Sequence, residues 1–198
     1  ESQVMMALKS GKAIRFEEAK TRPMGRSASG VRGIRLQHDK DEVIGMVSVN
    51  DMESNILVVS ANGYGKRSKL EDYRVTNRGG KGVKTISITD KTGDLVSIKN
   101  VNDSNGLMII NKSGIAIRMA VKDLRVMGRA TQGVKLINIK EGDSIAAVAK
   151  VIHEEQEEQE EAIVEEVNTT STNENNVIKS NKDISLEITN EEQENTEE

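Results

Sequence analysis

The chain has 198 residues, no cysteine, two histidines, 2% aromatic residues and a formal net charge of −4. The absence of cysteine excludes disulfides, thiolate metal sites and cysteine nucleophiles. No apolar run reaches the roughly 20 residues that span a bilayer, and no signal peptide opens the chain, so a cytoplasmic protein without membrane contact is expected. The average charge hides a division: residues 1–150 hold 26 Lys and Arg against 16 Asp and Glu, whereas residues 151–198 hold 2 against 16. A basic body with an acidic tail suits a polyanion-binding surface and a tail that competes for it. Glu1 stands directly before an apolar strand, as in a fragment of a longer polypeptide.

Taken in chain order, the first predicted strand is Val4–Leu8, a continuous apolar run of the kind buried on both faces. A glycine turn at Gly11 and a hairpin partner, "AIRF", follow. A longer link leads to a third strand, Val31–Leu36, and a polar turn to a fourth, Val43–Val49. The pattern then repeats twice without gaps through its first three strands. Ile56–Val59, "GKRS", Val83–Ile88 and Leu95–Val101 form the second unit. Leu107–Ile110, "AIRM", Val134–Ile139 and Ile145–Val151 form the third. Gly11, Gly63 and Gly114 align, as do Gly30, Gly82 and Gly133, at offsets of 52 and 51 residues. Four short strands per repeat of this length predict a propeller blade. Propellers hold about four to eight blades, so three blades (about 1–52, 53–103 and 104–152) predict half a ring. A β-sandwich or a pair of small barrels is the alternative. Residues 153–198 are low in complexity and too polar to offset ordering entropy, which predicts a disordered acidic tail.

Four basic columns recur: Arg15/Arg67/Arg118, Arg22/Arg74/Arg125, Arg26/Arg78/Arg129 and Arg32/Lys84/Lys135. On neighbouring blades equivalent positions lie at equal radius, so sequence repetition becomes an arc of positive charge. Duplex DNA carries one charge per roughly 1.7 Å of axis. Arg15 and Arg22 are expected to be structural, because Glu17, Glu18, Glu71 and Asp72 lie between their columns. The expected DNA contacts are Arg26, Arg32, Arg78, Lys81, Lys84, Arg129 and Lys135, with Lys66 and Arg67 of "GYGKRS" beside them. Glycines at 30, 82 and 133 supply positive φ for a turn and let backbone N–H groups approach phosphates. Few aromatics argue against single-strand stacking, and no helix is available for the major groove. No acid pair, histidine dyad or metal cluster recurs, so no catalytic residue is expected. His38 and His153 are expected at the surface, and Asp51 and Asp103 in hairpin turns.

The stretches "GRSASGVRGIRL", "NGYGKRSKLEDYR" and "MGRATQGVKLI" resemble the C-terminal domain of bacterial DNA gyrase A over about residues 1–152, as the last three of six blades. That resemblance implies a β-pinwheel, in which hairpins are exchanged between blades, and duplex DNA wrapped around a basic rim. It implies partners in gyrase B and the rest of gyrase A in a heterotetramer, whose ATP-dependent strand passage introduces negative supercoils. ATP and Mg belong to that holoenzyme, and no cofactor is expected in this chain. "TNRGGKG" (76–82) resembles the family's Gln-Arg-Arg-Gly-Gly-Lys-Gly box, with Thr76 and Asn77 in place of Gln and the first Arg. It aligns with a later blade than the box and reads as an echo of it. The corresponding C-terminal domain of topoisomerase IV is the alternative within the family; a protein-interaction propeller is the alternative outside it.

Overall fold

The computed structural model describes residues 2–152, which form eleven strands in three antiparallel sheets. The expectation for residues 153–198 lies outside the described residues, as does that for His153. The first sheet has the order β3-β1-β2-β6, from β1 (Gln3–Leu8), β2 (Lys12–Glu17), β3 (Val43–Val49) and β6 (Val83–Lys84). The second has the order β7-β4-β5-β10, from β4 (Asn55–Ser60), β5 (Tyr64–Lys69), β7 (Leu95–Val101) and β10 (Val134–Lys135). The third, β11-β8-β9, joins β8 (Asn105–Asn111), β9 (Ala116–Ala120) and β11 (Ile145–Ile152).

Each of the first two sheets is thus completed by a strand from the next repeat. Val83 pairs with Ala13 and Lys84 with Lys12; one repeat later, Val134 pairs with Gly65 and Lys135 with Tyr64. The predicted third strands of six residues shrink to these two-residue pieces. Val31–Leu36 forms no strand, only an isolated bridge from Ile34 to Gly80. A strand needs a neighbour to hydrogen-bond, and no hairpin among the described residues pairs with this segment. For the same reason the third sheet has three strands, not four.

Glycine is required where the exchanged strand enters. Gly82 has φ +69°, and a Cβ there would lie 2.6 Å from Ala13 O. Gly133 has φ +84°, and its Cβ would lie 2.6 Å from Gly65 O. No other residue fits that backbone approach without displacing the strand.

The continuous apolar runs behave as predicted. On β4, Ile56 and Val58 enter the core between the first and second sheets, with Met5, Tyr73, Ile86 and Ile98. Leu57 and Val59 enter the core between the second and third, with Leu107, Ile109, Leu124 and Ile137. Alternating side chains on one strand therefore hold two neighbours apart at sheet-packing distance. The strands β3, β7 and β11 lie against one another in sequence, β7 between the other two. β6 and β10 occupy the opposite edge of their sheets.

Candidate nucleic-acid interface

The direction in which each segment leaves its sheet sorts the basic residues. Arg15 and Arg67 lie on β2 and β5 and are only 8% and 7% exposed. Arg15 Nη1 donates to Leu70 O at 2.8 Å and Tyr73 O at 3.0 Å, both in the following repeat. Burial pushes its pKa down, but an arginine in a protein stays charged. Arg67 repeats the arrangement: Nε donates to Leu124 O, and Nη2 to Lys122 O at 3.5 Å. Its Nη1 also pairs with Asp103. Arg118, third in the column, is exposed.

Arg67 is therefore turned inward rather than toward a ligand, and so is Lys66, which is 1% exposed. Lys66 Nζ donates to Gly128 O at 2.7 Å, to Arg129 O and to Thr131 Oγ1 at 3.1 Å. Burial, then the charges of Arg129 and Lys84, push its pKa down to about 8, with Asp72 opposing. Lys66 aligns with Ile14 and Ile117. An apolar residue at both equivalent positions was the signal that this lysine faces the interior.

Arg78 and Arg129 clasp in the opposite direction. Arg78 donates from Nε to Lys20 O at 3.0 Å and from Nη1 to Arg32 O at 3.2 Å. Arg129 donates from Nε to Asp72 O at 2.9 Å and from Nη1 to Lys84 O at 2.7 Å. Both pairs of acceptors are the same two positions of the preceding repeat. Each interior junction thus carries reciprocal arginine clasps, one reaching forward and one back. Two N–H groups of each half-buried guanidinium are committed to backbone; the rest of the fork faces outward.

The remaining expected residues form the surface. Arg26, Arg32, Lys81, Lys84 and Lys135 are all exposed, and Lys84 and Lys135 sit on the exchanged edge strands. The Arg22/Arg74/Arg125 column, expected to be structural, is also exposed in all three repeats. It follows the short 3-10 turns at Glu18–Lys20, Leu70–Asp72 and Val121–Asp123, where the chain leaves the sheet. Its recurrence in every repeat was a signal that sequence reasoning discounted because of the acids nearby.

A cavity of about 190 Å³ opens where the second repeat crosses β2, with Ala13, Ile14, Arg15 and Val83 on one side and Arg74, Thr76, Asn77, Lys81 and the glycines at 80 and 82 on the other. Arg15 is committed to backbone carbonyls, which leaves Arg74, Lys81, two neutral polar groups and glycine backbone as the part that suits phosphate oxygens. This is the "TNRGGKG" segment, and Gly79 N donates to Gly33 O at 2.5 Å to hold it against the first repeat. Asp51 serves a turn as expected, accepting from Glu53 N at 2.9 Å. His38 is exposed. Among the described residues no three His, Asp or Glu side chains gather as for a metal, and no helix is long and apolar enough to cross a membrane.

Residues 3–50, 54–102 and 107–152 match the family model described as DNA gyrase C-terminal domain, beta-propeller. The DNA gyrase A protein of Staphylococcus epidermidis is 48% identical over 160 residues, covering 80% of this chain and 18% of that protein. The Chlamydia muridarum protein is 46% identical over 151 residues, covering 76% and 18%. The chain therefore spans about a fifth of these relatives. A solved DNA gyrase A C-terminal domain superposes with a TM-score of 0.70 at 26% identity, covering 77% of this chain and 51% of that one. The C-terminal domain of DNA topoisomerase IV superposes at 0.75 with 21% identity, which is a likeness of fold.

Proposed function

Because this chain belongs to the DNA gyrase C-terminal domain family, we propose that its outer rim binds duplex DNA along the phosphate backbone, across successive repeats. One observation carries the reading: equivalent cations recur at the exposed edge of each repeat, while the buried Arg15 and Arg67 of the first two repeats bond to the repeat that follows. Arg26, Arg32, Lys81, Lys84 and Lys135 are the principal contacts, with Arg22, Arg74 and Arg125 added by their exposure. Arg78 and Arg129 shape the rim and reach phosphate only with the free side of the fork.

The gyrase A relatives support a place within a type II topoisomerase. There the wrapped duplex would be presented to a catalytic core elsewhere in the assembly, with gyrase B, ATP and Mg supplied outside this chain. Backbone contacts and no recognition helix make DNA bendability, not base reading, the source of any sequence preference. A salt titration on a duplex tests the reading. Log K should fall with log salt by about 0.9 for every phosphate neutralised. Binding that ignores salt would refute it and favour a protein-binding scaffold.

A further inference from the structure

We propose that Tyr64, Lys91, Lys135 and Lys140 form a phosphate clamp for the duplex where the second repeat meets the third, a grip that the junction of the first and second repeats lacks. The proposal rests on the reading of the rim as a duplex-binding surface. It adds to that rim a place that sequence repetition does not mark.

The clamp grows out of the exchanged strand. Lys135 on β10 lies opposite Tyr64 on β5. Around this pair lies a cleft of about 340 Å³, to which loops of the second and third repeats bring Lys91 and Lys140. Asn62, Ile139 and Gly142 fill out its wall. Glu141 and Asp143 also line it, so lysines outnumber carboxylates by three to two. Asp143 is already engaged, accepting from Asn111 Nδ2 at 2.6 Å, Ser113 Oγ at 2.8 Å and Ser144 N at 2.8 Å. Among the described residues none of the three lysines is ion-paired, which leaves their ammonium groups for charge-assisted bonds to phosphate.

Lys91 is held in place before any ligand arrives. Its Nζ lies 5.5 Å from the centroid of the Tyr64 ring, a cation–π contact. The loop that carries it is tied down on both sides. Asn62 Nδ2 donates to Asp90 O at 3.0 Å and to Lys91 O at 3.3 Å. Asn62 N donates to Thr92 O at 3.0 Å. Thr92 is buried, and its Oγ1 accepts from Thr89 N at 2.9 Å. A lysine on so fixed a backbone, resting on a ring, has less freedom to lose when it binds. Tyr64 adds its hydroxyl, which has no protein partner among the described residues. Tyrosine hydroxyls are among the side-chain groups that bond DNA phosphates.

The first junction shows the contrast. At the equivalent positions it has Lys12 for Tyr64, Asp39 for Lys91, Lys84 for Lys135 and Thr89 for Lys140. Lys12 Nζ is bonded to Gln37 Oε1, and Asp39 brings a negative charge. Of these four only Lys84 is an uncommitted cation. Lys91 and Lys140 belong to none of the four repeated columns, so only the folded chain brings them beside Lys135. The rim therefore grips unevenly, with its closest cluster of lysines at the second junction.

Fluorine NMR of the full chain, labelled with 3-fluorotyrosine, tests the clamp. The chain has two tyrosines, and Tyr73, 1% exposed, serves as the internal reference. Adding duplex DNA should shift the Tyr64 resonance and leave that of Tyr73 in place. A Tyr64 resonance that stays put in a sample saturated with duplex overturns the clamp and leaves the rim reading standing. A duplex that does not bind overturns both. Two variants then separate the charge from the hydroxyl. Lys91→Ala should weaken duplex binding and lower the salt slope by about 0.9. Tyr64→Phe keeps the ring beneath Lys91, and should weaken binding about threefold with the slope unchanged. If Lys91→Ala, with circular dichroism as in the parent chain, changes neither affinity nor slope, the clamp is also overturned.

Discussion

Lys66 and Arg67 on β5, and Lys81 and Lys84 around β6, belong to one repeat and carry the same charge. The first pair is buried against the next repeat's carbonyls, and the second is exposed at the sheet edge. The difference teaches that charge density along this chain does not map onto the binding surface. A cation on a central hairpin strand is drawn into the junction because carbonyls at the end of a 3-10 turn and in a glycine loop need donors there. A cation on the exchanged edge strand meets only solvent, and solvent is where a phosphate would arrive.

The contrast can be broken most forcefully at Arg67. Arg67→Ala leaves Leu124 O and Lys122 O without their donor, and should lower unfolding free energy in urea by about 3 kcal/mol. DNA affinity of the folded fraction should hardly change. Next is Lys66, whose pKa is pushed down to about 8. Between pH 8 and the ordinary lysine value the unfolded chain binds more protons than the folded one, so stability rises with pH across that window. The gain should be on the order of 3 kcal/mol, and Lys66→Met should abolish it in denaturation curves taken at each pH.

A smaller effect is expected from the exposed pair, and of the opposite kind. Lys81→Ala with Lys84→Ala should leave the urea midpoint in place, weaken duplex binding about tenfold, and reduce the salt slope by about 0.9 per lost phosphate contact. A loss of stability without a change of slope would reverse the assignment of the two pairs. The smallest effect belongs to Lys9, whose ion pair with Glu42 at 2.9 Å is solvent-exposed on both sides. Lys9 also lies 4.0 Å from Asp94 of the second repeat. Lys9→Met should nonetheless leave the urea midpoint almost unchanged, which provides the baseline for a cation whose contacts are solvent-exposed.

Much of the fold was legible because it recurs. The apolar run Ile56–Val59 announced a strand buried on both faces, and β4 divides its side chains between two cores. Gly30, Gly82 and Gly133 announced positive φ, which all three adopt. The exchange of strands was legible only through the family resemblance. Val83-Lys84 has the same local pattern whichever hairpin it joins, and register with another repeat is a tertiary matter. The site was half legible. Arg32, Lys84 and Lys135 form a repeated column and are exposed in all three repeats, but Lys66 is buried and the Arg22 column is exposed against expectation, since periodicity records that a position matters and not which way it faces. The inward turn of Lys66 depends on Gly128 and Thr131, a whole repeat away.

The short exchanged strand also has a mechanical consequence. Lys84 belongs to the second repeat in sequence but to the first sheet in space. A duplex tugged away from Lys84 would pull on a ladder that joins two repeats, and Arg129, bonded to Lys84 O, would pass the tension to a third. Force on the rim is thus shared between blades rather than borne by one, so a duplex bent around this surface would strain the arc as a whole.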